Sequence, residues 1–210
     1  MKLLSKKITA IFFTLLIGSL STTSFAAGHD LWNLSKSKSS ISFVSVKKGN
    51  IGEVHSFTDF SGVLDHGKAS ISIDVSSVDM LVPIRSERAV QYLFEAAQFS
   101  SIEVKSDVTA AMQAVQNGET VFMDVPASLS LHGVTKDIVL NVSVTRNGKK
   151  TLTVSSAKPI IINAADYNME AGVTKLSNFV GDIPIATSVP VNFVLTFNKS
   201  SGSGGSKTKY

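Results

Sequence analysis

The chain has 210 residues, a formal charge of +4, 43% hydrophobic residues and no cysteine. Three of its 20 basic residues lie in 1–26 and two in 200–210; without those five, 15 basic residues face 16 acidic ones, a net of −1. The basicity is therefore no nucleic-acid footprint, and the missing thiols exclude thiolate metal sites, cysteine nucleophiles and dithiol redox chemistry.

Residues 1–26 read as a signal peptide. Lys2, Lys6 and Lys7 precede an uncharged apolar run from Ile8 to Leu20, and Ser24-Phe25-Ala26 has the small-x-small form of a cleavage site. The apolar run is shorter than the roughly 20 residues that span a bilayer, so cleavage is expected in preference to an uncleaved anchor. A bacterial periplasmic or secreted location follows. Residues 200–210 are rich in Gly and Ser and are expected to form a flexible tail, which leaves 27–199 as one folded domain.

Within that domain the dominant period is two. Ile71, Ile73 and Val75 alternate with small polar residues. A helical period then interrupts: Val90, Leu93, Phe94 and Ala97 share one face over 84–100, opposite Glu87, Arg88, Gln91 and Glu95. Ser86 is the expected N-cap of this amphipathic helix, and covering an open edge or end of the sheet is its expected task. Alternation resumes over Val121–Leu131, where Pro126 predicts a bulge or a local gap in pairing. It continues at even numbers from Val134 to Val144 and from Leu152 to Ile162, then at odd numbers from Val189 to Phe197. Turn chemistry falls between the runs at Lys48-Gly49-Asn50, His66-Gly67-Lys68, Asn117-Gly118-Glu119 and Asn147-Gly148-Lys149, the two Asn-Gly pairs being the strongest hairpin signals. The sum is eight or nine mostly antiparallel strands, arranged as an up-and-down barrel or a sandwich.

Around His132-Gly133 the apolar positions switch from odd numbers to even ones. An odd-length turn or a bulge is the expected cause.

The segment Leu129-Ser130-Leu131-His132-Gly133-Val134-Thr135-Lys136 resembles the most recognisable run of the YceI-like family. Leu31-Trp32, Ser40-Ile41-Ser42-Phe43, Phe57-Thr58-Asp59-Phe60-Ser61-Gly62, Ala165-Asp166-Tyr167 and Val180-Gly181-Asp182 follow the family's order, so the likeness covers about 31–197. Two departures lie near the helix: Arg85-Ser86 stands where the family has Arg-Asp, and Ser100 follows Phe99 where the family has Pro. The resemblance implies a mainly β fold, an extended antiparallel lipocalin-like barrel of about eight strands with one amphipathic helix. It also implies a lumen able to hold a polyprenyl or quinone-type isoprenoid.

The candidate lumen wall is uncharged. Phe43, Phe57, Phe60 and Leu64 come from its first half, with space beside Gly62, and Ile73 follows. Met123, Leu129, Leu131 and Leu140 come from the two long central runs, and Ile162 and Phe193 from the last ones. Leu93 and Phe94 on the helix would cap the lipid tail or seal the barrel. Arg85 and Arg88 are head-group candidates; the alternative is a solvated pair balanced by Glu87 and Glu95.

Enzyme signals are weak. There is no Gly-x-Ser-x-Gly, and His29, His55, His66 and His132 form no metal-ligand spacing. His132 reads as a structural residue bonding a turn, and Asp166-Tyr167 as a loop turn with an anchored aromatic. The expected function is non-enzymatic: binding, sequestration or transport of an isoprenoid lipid, with no cofactor besides that ligand. The alternative is an envelope stress or interaction protein whose filled barrel acts through a protein partner.

Overall fold

The computed structural model describes residues 31–200. The expected signal peptide, His29 and all of the expected tail except Ser200 lie outside the described residues.

Twelve strands form one closed antiparallel barrel of eight staves. Four staves are unbroken: β7 (Ser101–Asp107), β8 (Thr120–Leu131), β9 (Val134–Asn147) and β12 (Ser188–Lys199). The other four are each broken in two: β1 (Leu31–Leu34) with β2 (Ser40–Lys47), β3 (Ile51–Phe57) with β4 (Phe60–Asp65), β5 (Lys68–Asp74) with β6 (Val78–Asp79), and β10 (Thr151–Ser156) with β11 (Ile160–Asn163). Each stave pairs with its sequence neighbour, and β12 closes the ring on β1 and β2 through Leu34↔Phe197 and Ile41↔Phe193. Closure removes the unpaired sheet edges that otherwise invite aggregation.

The parity switch has a simpler cause than the one expected. Leu131 pairs with Val134 across a two-residue turn, and β8 and β9 stay in one register to Thr120↔Thr145 without a bulge. In an antiparallel pair opposite residues share a face, so an even-length turn places odd-numbered residues of one strand beside even-numbered residues of the next. His132 (φ 50°) and Gly133 (φ 75°) are both left-handed, as such a turn requires. His66 (φ 47°) and Gly67 (φ 78°) repeat the device between Asp65 and Lys68. Pro126 causes no bulge against β9; the pairing of β8 with β7 instead stops one residue before it, at Ser106↔Ala127.

Asn117-Gly118 is not a hairpin. It follows a short helix, α2 (Thr109–Ala114), and its Gly118 N–H donates to the Arg146 carbonyl at 2.8 Å. The pair tolerates positive φ in any tight loop, so it marks a turn without naming what the turn joins.

The expected amphipathic helix is present as α1 (Pro83–Arg88) continued by a π turn over Ala89–Leu93. Its N-cap is Val82, with Pro83 in the first position, where a missing N–H costs nothing. Ser86 lies inside the helix instead, and its Oγ accepts from the Met80 N–H at 2.9 Å. The π turn changes the phase of the face: Phe94 is buried, whereas Ala97 is exposed. A further helix, α3 (Glu170–Asn178), packs on the π turn. At the contact Gly172 has no room for a side chain, because a Cβ would lie 2.6 Å from the Tyr92 carbonyl oxygen.

Stave direction fixes where these pieces lie. Both α1 with its π turn and α3 connect strand ends at one end of the barrel, together with the Lys47–Ile51 and His132-Gly133 turns. At the other end are α2, the His66-Gly67 turn and fully buried Trp32, Leu64 and Leu152.

Candidate functional site

Inward side chains enclose a cavity of about 250 Å³. Among the described residues its wall has no charged residue, and Ser106 and Thr187 are its only polar side chains. Strand alternation explains this: each stave sends every second side chain inward, and those positions are aliphatic or aromatic. Residues of the helices and their caps border it at both ends, Leu93, Phe94 and Val173 at one, Ala111 and Met112 at the other.

Of the residues expected on the wall, Phe43, Phe57, Leu64 and Ile73 line the cavity from the first three staves. Leu129, Leu131 and Leu140 line it from β8 and β9, Ile162 and Phe193 from β11 and β12, and Leu93 and Phe94 from the π turn and the residue after it. Phe60 and Met123 do not. Phe60 is buried in the core without reaching the cavity, and the space expected beside Gly62 is filled: Ile71 Cδ1 lies 2.5 Å from where a Cβ would stand. Met123 packs on the core beyond the last β7 pair, where α2 rather than a strand lies against β8. Sequence reasoning missed Ile41, Ile71, Val142 and Leu195, which shared face and period with residues it named. Met112 and Val173 had no such signal, because they sit on the helices the sequence did not disclose.

The inner face of β2 and β3 turns polar toward the α1 end. Phe43 pairs with His55, and Ser45 with Glu53. His55 is 2% exposed, its ring 5.2 Å from that of Phe43 and its Nε2 2.8 Å from Ser45 Oγ. Burial holds the imidazole below its usual pKa. Glu53 accepts from Lys47 at 2.8 Å and from Arg85 at 3.1 Å. The Lys47 bond keeps its carboxyl below the ordinary range, with Arg85 assisting against a desolvation that opposes. The balancing acids proposed for the arginines are thus not the ones found. Arg85 pairs with Glu53, Arg88 lies 4.4 Å above the Phe179 ring, and Glu95 goes to His132.

His132 ties the barrel to its cap. Its Nδ1 lies 3.1 Å from the Tyr167 carbonyl oxygen, its Nε2 2.8 Å from Glu95 Oε2, and its ring packs on Phe99 at 4.4 Å. Asp166 accepts from Lys136 at 2.5 Å, and Tyr167 is 3% exposed, its phenol pushed up in pKa by burial. Among the described residues no His, Asp and Glu group is placed to hold a metal ion, and no helix is long and apolar enough to cross a membrane.

A closed eight-stranded barrel with an apolar lumen and a helical cap is a lipocalin-like barrel. The YceI-like domain matches residues 32–197, and the chain belongs to that family. A solved polyisoprenoid binding domain from Saccharophagus degradans, implicated in plant cell wall breakdown, is 37% identical, with a TM-score of 0.77 over 80% of this chain and 98% of that one. BcnA from Burkholderia cenocepacia shares the fold at 19% identity, with a TM-score of 0.58 over 78% of this chain and 98% of that one. No curated protein matches.

Proposed function

We propose that the protein is an exported carrier that holds one isoprenoid chain, polyprenyl or quinone-type, in the barrel lumen and performs no chemistry on it. The observation that carries this reading is the charge-free cavity of about 250 Å³. A hydrocarbon occupant of such a wall gains about 0.8 kcal/mol per buried CH₂. The 37% identical polyisoprenoid binding domain supports the choice of an isoprenoid over other lipids. The basic, apolar and small-residue order of residues 1–26 supports export to the periplasm or beyond.

The alternative, a barrel filled by its own side chains and acting through a protein partner, is disfavoured by the same cavity. Mass spectrometry of an organic extract tests the carrier reading, using protein purified without detergent. A stoichiometric prenyl species is expected. Protein that is reproducibly empty, and that fails to take up added ubiquinone, overturns it.

A further inference from the structure

A second cavity, of about 190 Å³, lies between the π turn and α3. It differs from the lumen in chemistry: Glu95, His132, Asn168 and Lys175 stand in its wall. Leu93 and Met169 belong to both walls, so the apolar lumen and the polar pocket adjoin at these two residues. Both come from segments with unusual backbone. Leu93 ends the π turn, and such turns are frequent at functional sites. Asn168, just before Met169, is left-handed at φ 57°, as is Glu95 at φ 46°.

An isoprenoid amphiphile has an end that the lumen does not suit. Among the described residues Ser106 and Thr187 are the only polar side chains inside, and an unbonded buried polar group is costly. The pocket beyond Leu93 and Met169 offers what is missing. One oxygen of its carboxylate is engaged, since Glu95 Oε2 lies 2.8 Å from His132 Nε2. Lys175 forms no ion pair among the described residues; its ammonium lies 5.7 Å from the Tyr92 ring centroid and 5.5 Å from that of Phe179. The pocket therefore presents cationic and amide donors, and calls for a group with accepting oxygens.

Resting on the carrier reading, we propose that this pocket is the head-group subsite. The lipid threads past Leu93 and Met169 with its chain in the lumen, and its oxygen-bearing head is held by Lys175 and Asn168. Phosphate oxygens and quinone carbonyls share the required chemistry.

The test compares three ligands of equal chain length, a polyprenyl phosphate, a polyprenyl benzoquinone and the bare polyprene hydrocarbon, on wild type and Lys175→Met by isothermal titration. Lys175 is exposed, so the variant retains the fold. At least one oxygenated ligand is expected to bind about tenfold more tightly than the hydrocarbon, as one charge-assisted hydrogen bond provides. Lys175→Met should remove that advantage and leave hydrocarbon binding unchanged. Whichever ligand gains more identifies the head. Equal binding of all three to wild type, or a loss in Lys175→Met that falls equally on the hydrocarbon, overturns the subsite while leaving the lumen reading intact. Failure of every ligand to bind wild type overturns both.

Discussion

Phe57 and Phe94 meet edge to face, ring centroids 5.7 Å apart, and so join the barrel wall to the segment that closes it. Phe94 is 7% exposed and also borders the lumen. Phe94→Ala should cost about 3 kcal/mol, the lower end for a buried aromatic because one side already faces a cavity. Urea denaturation measures it; a loss below about 1 kcal/mol would mean that the cap closes without this contact.

Gly133 holds the hairpin on which the cap is pinned. Its φ is 75°, and a Cβ there would lie 2.7 Å from Phe99 Cε1. Gly133→Ala combines left-handed strain of roughly 1–2 kcal/mol with displacement of the ring that packs on His132. A total near 2 kcal/mol is expected in the same denaturation assay, and Gly148→Ala is the control. Gly148 has a similar φ of 68° with open space around it, so the difference between the two variants reads the clash alone.

His55 makes stability depend on pH. Burial lowers its folded pKa below the reference of 6.5. Below that reference the unfolded chain binds the proton more readily than the folded one, so stability is full above about pH 6.5 and is lost as pH falls toward the folded value. The charges facing the ring are Glu53 and Asp79, which oppose the shift, and Arg85 and Lys47, which assist it. Denaturation midpoints measured between about pH 5 and 8 should decline on the acid side. His55→Gln should flatten that part of the decline; an unchanged slope would assign it to carboxylates instead.

Filling the lumen should separate stability from binding. Leu140 lines the cavity and is only partly buried. Leu140→Phe adds contacts there and should raise the stability of the lipid-free protein by about 0.5–2 kcal/mol, while lowering prenyl uptake several-fold. Leu131→Arg places a charge in the same wall and should abolish uptake. Uptake that survives in a folded Leu131→Arg protein would show that lipid does not occupy this cavity.

Much of the wall was legible before any coordinates. Leu129, Leu131, Leu140, Ile162 and Phe193 follow from alternation, because a strand sends every second side chain to one face whatever it packs against. The errors have physical causes as well. Phe60 and Met123 share that inward face, but a neighbour's Ile71 and the end of β7 decide whether an inward residue meets empty space or other atoms. The helices α2 and α3 are short, and their apolar residues carry too few turns to show a period. The Glu95–His132 tie joins residues 37 positions apart, a separation at which local pattern is silent.

By itself, then, the sequence determined what is local: the faces of the strands, and turns such as His66-Gly67 and His132-Gly133 whose residues tolerate positive φ. The tertiary structure alone decided that β12 closes on β1 and β2, that the inward side chains leave a cavity, and that Leu93 and Met169 border both it and a polar pocket. Those outcomes depend on pairings between residues far apart in the chain, which set the radius of the barrel and hence whether facing side chains touch or leave room for another molecule.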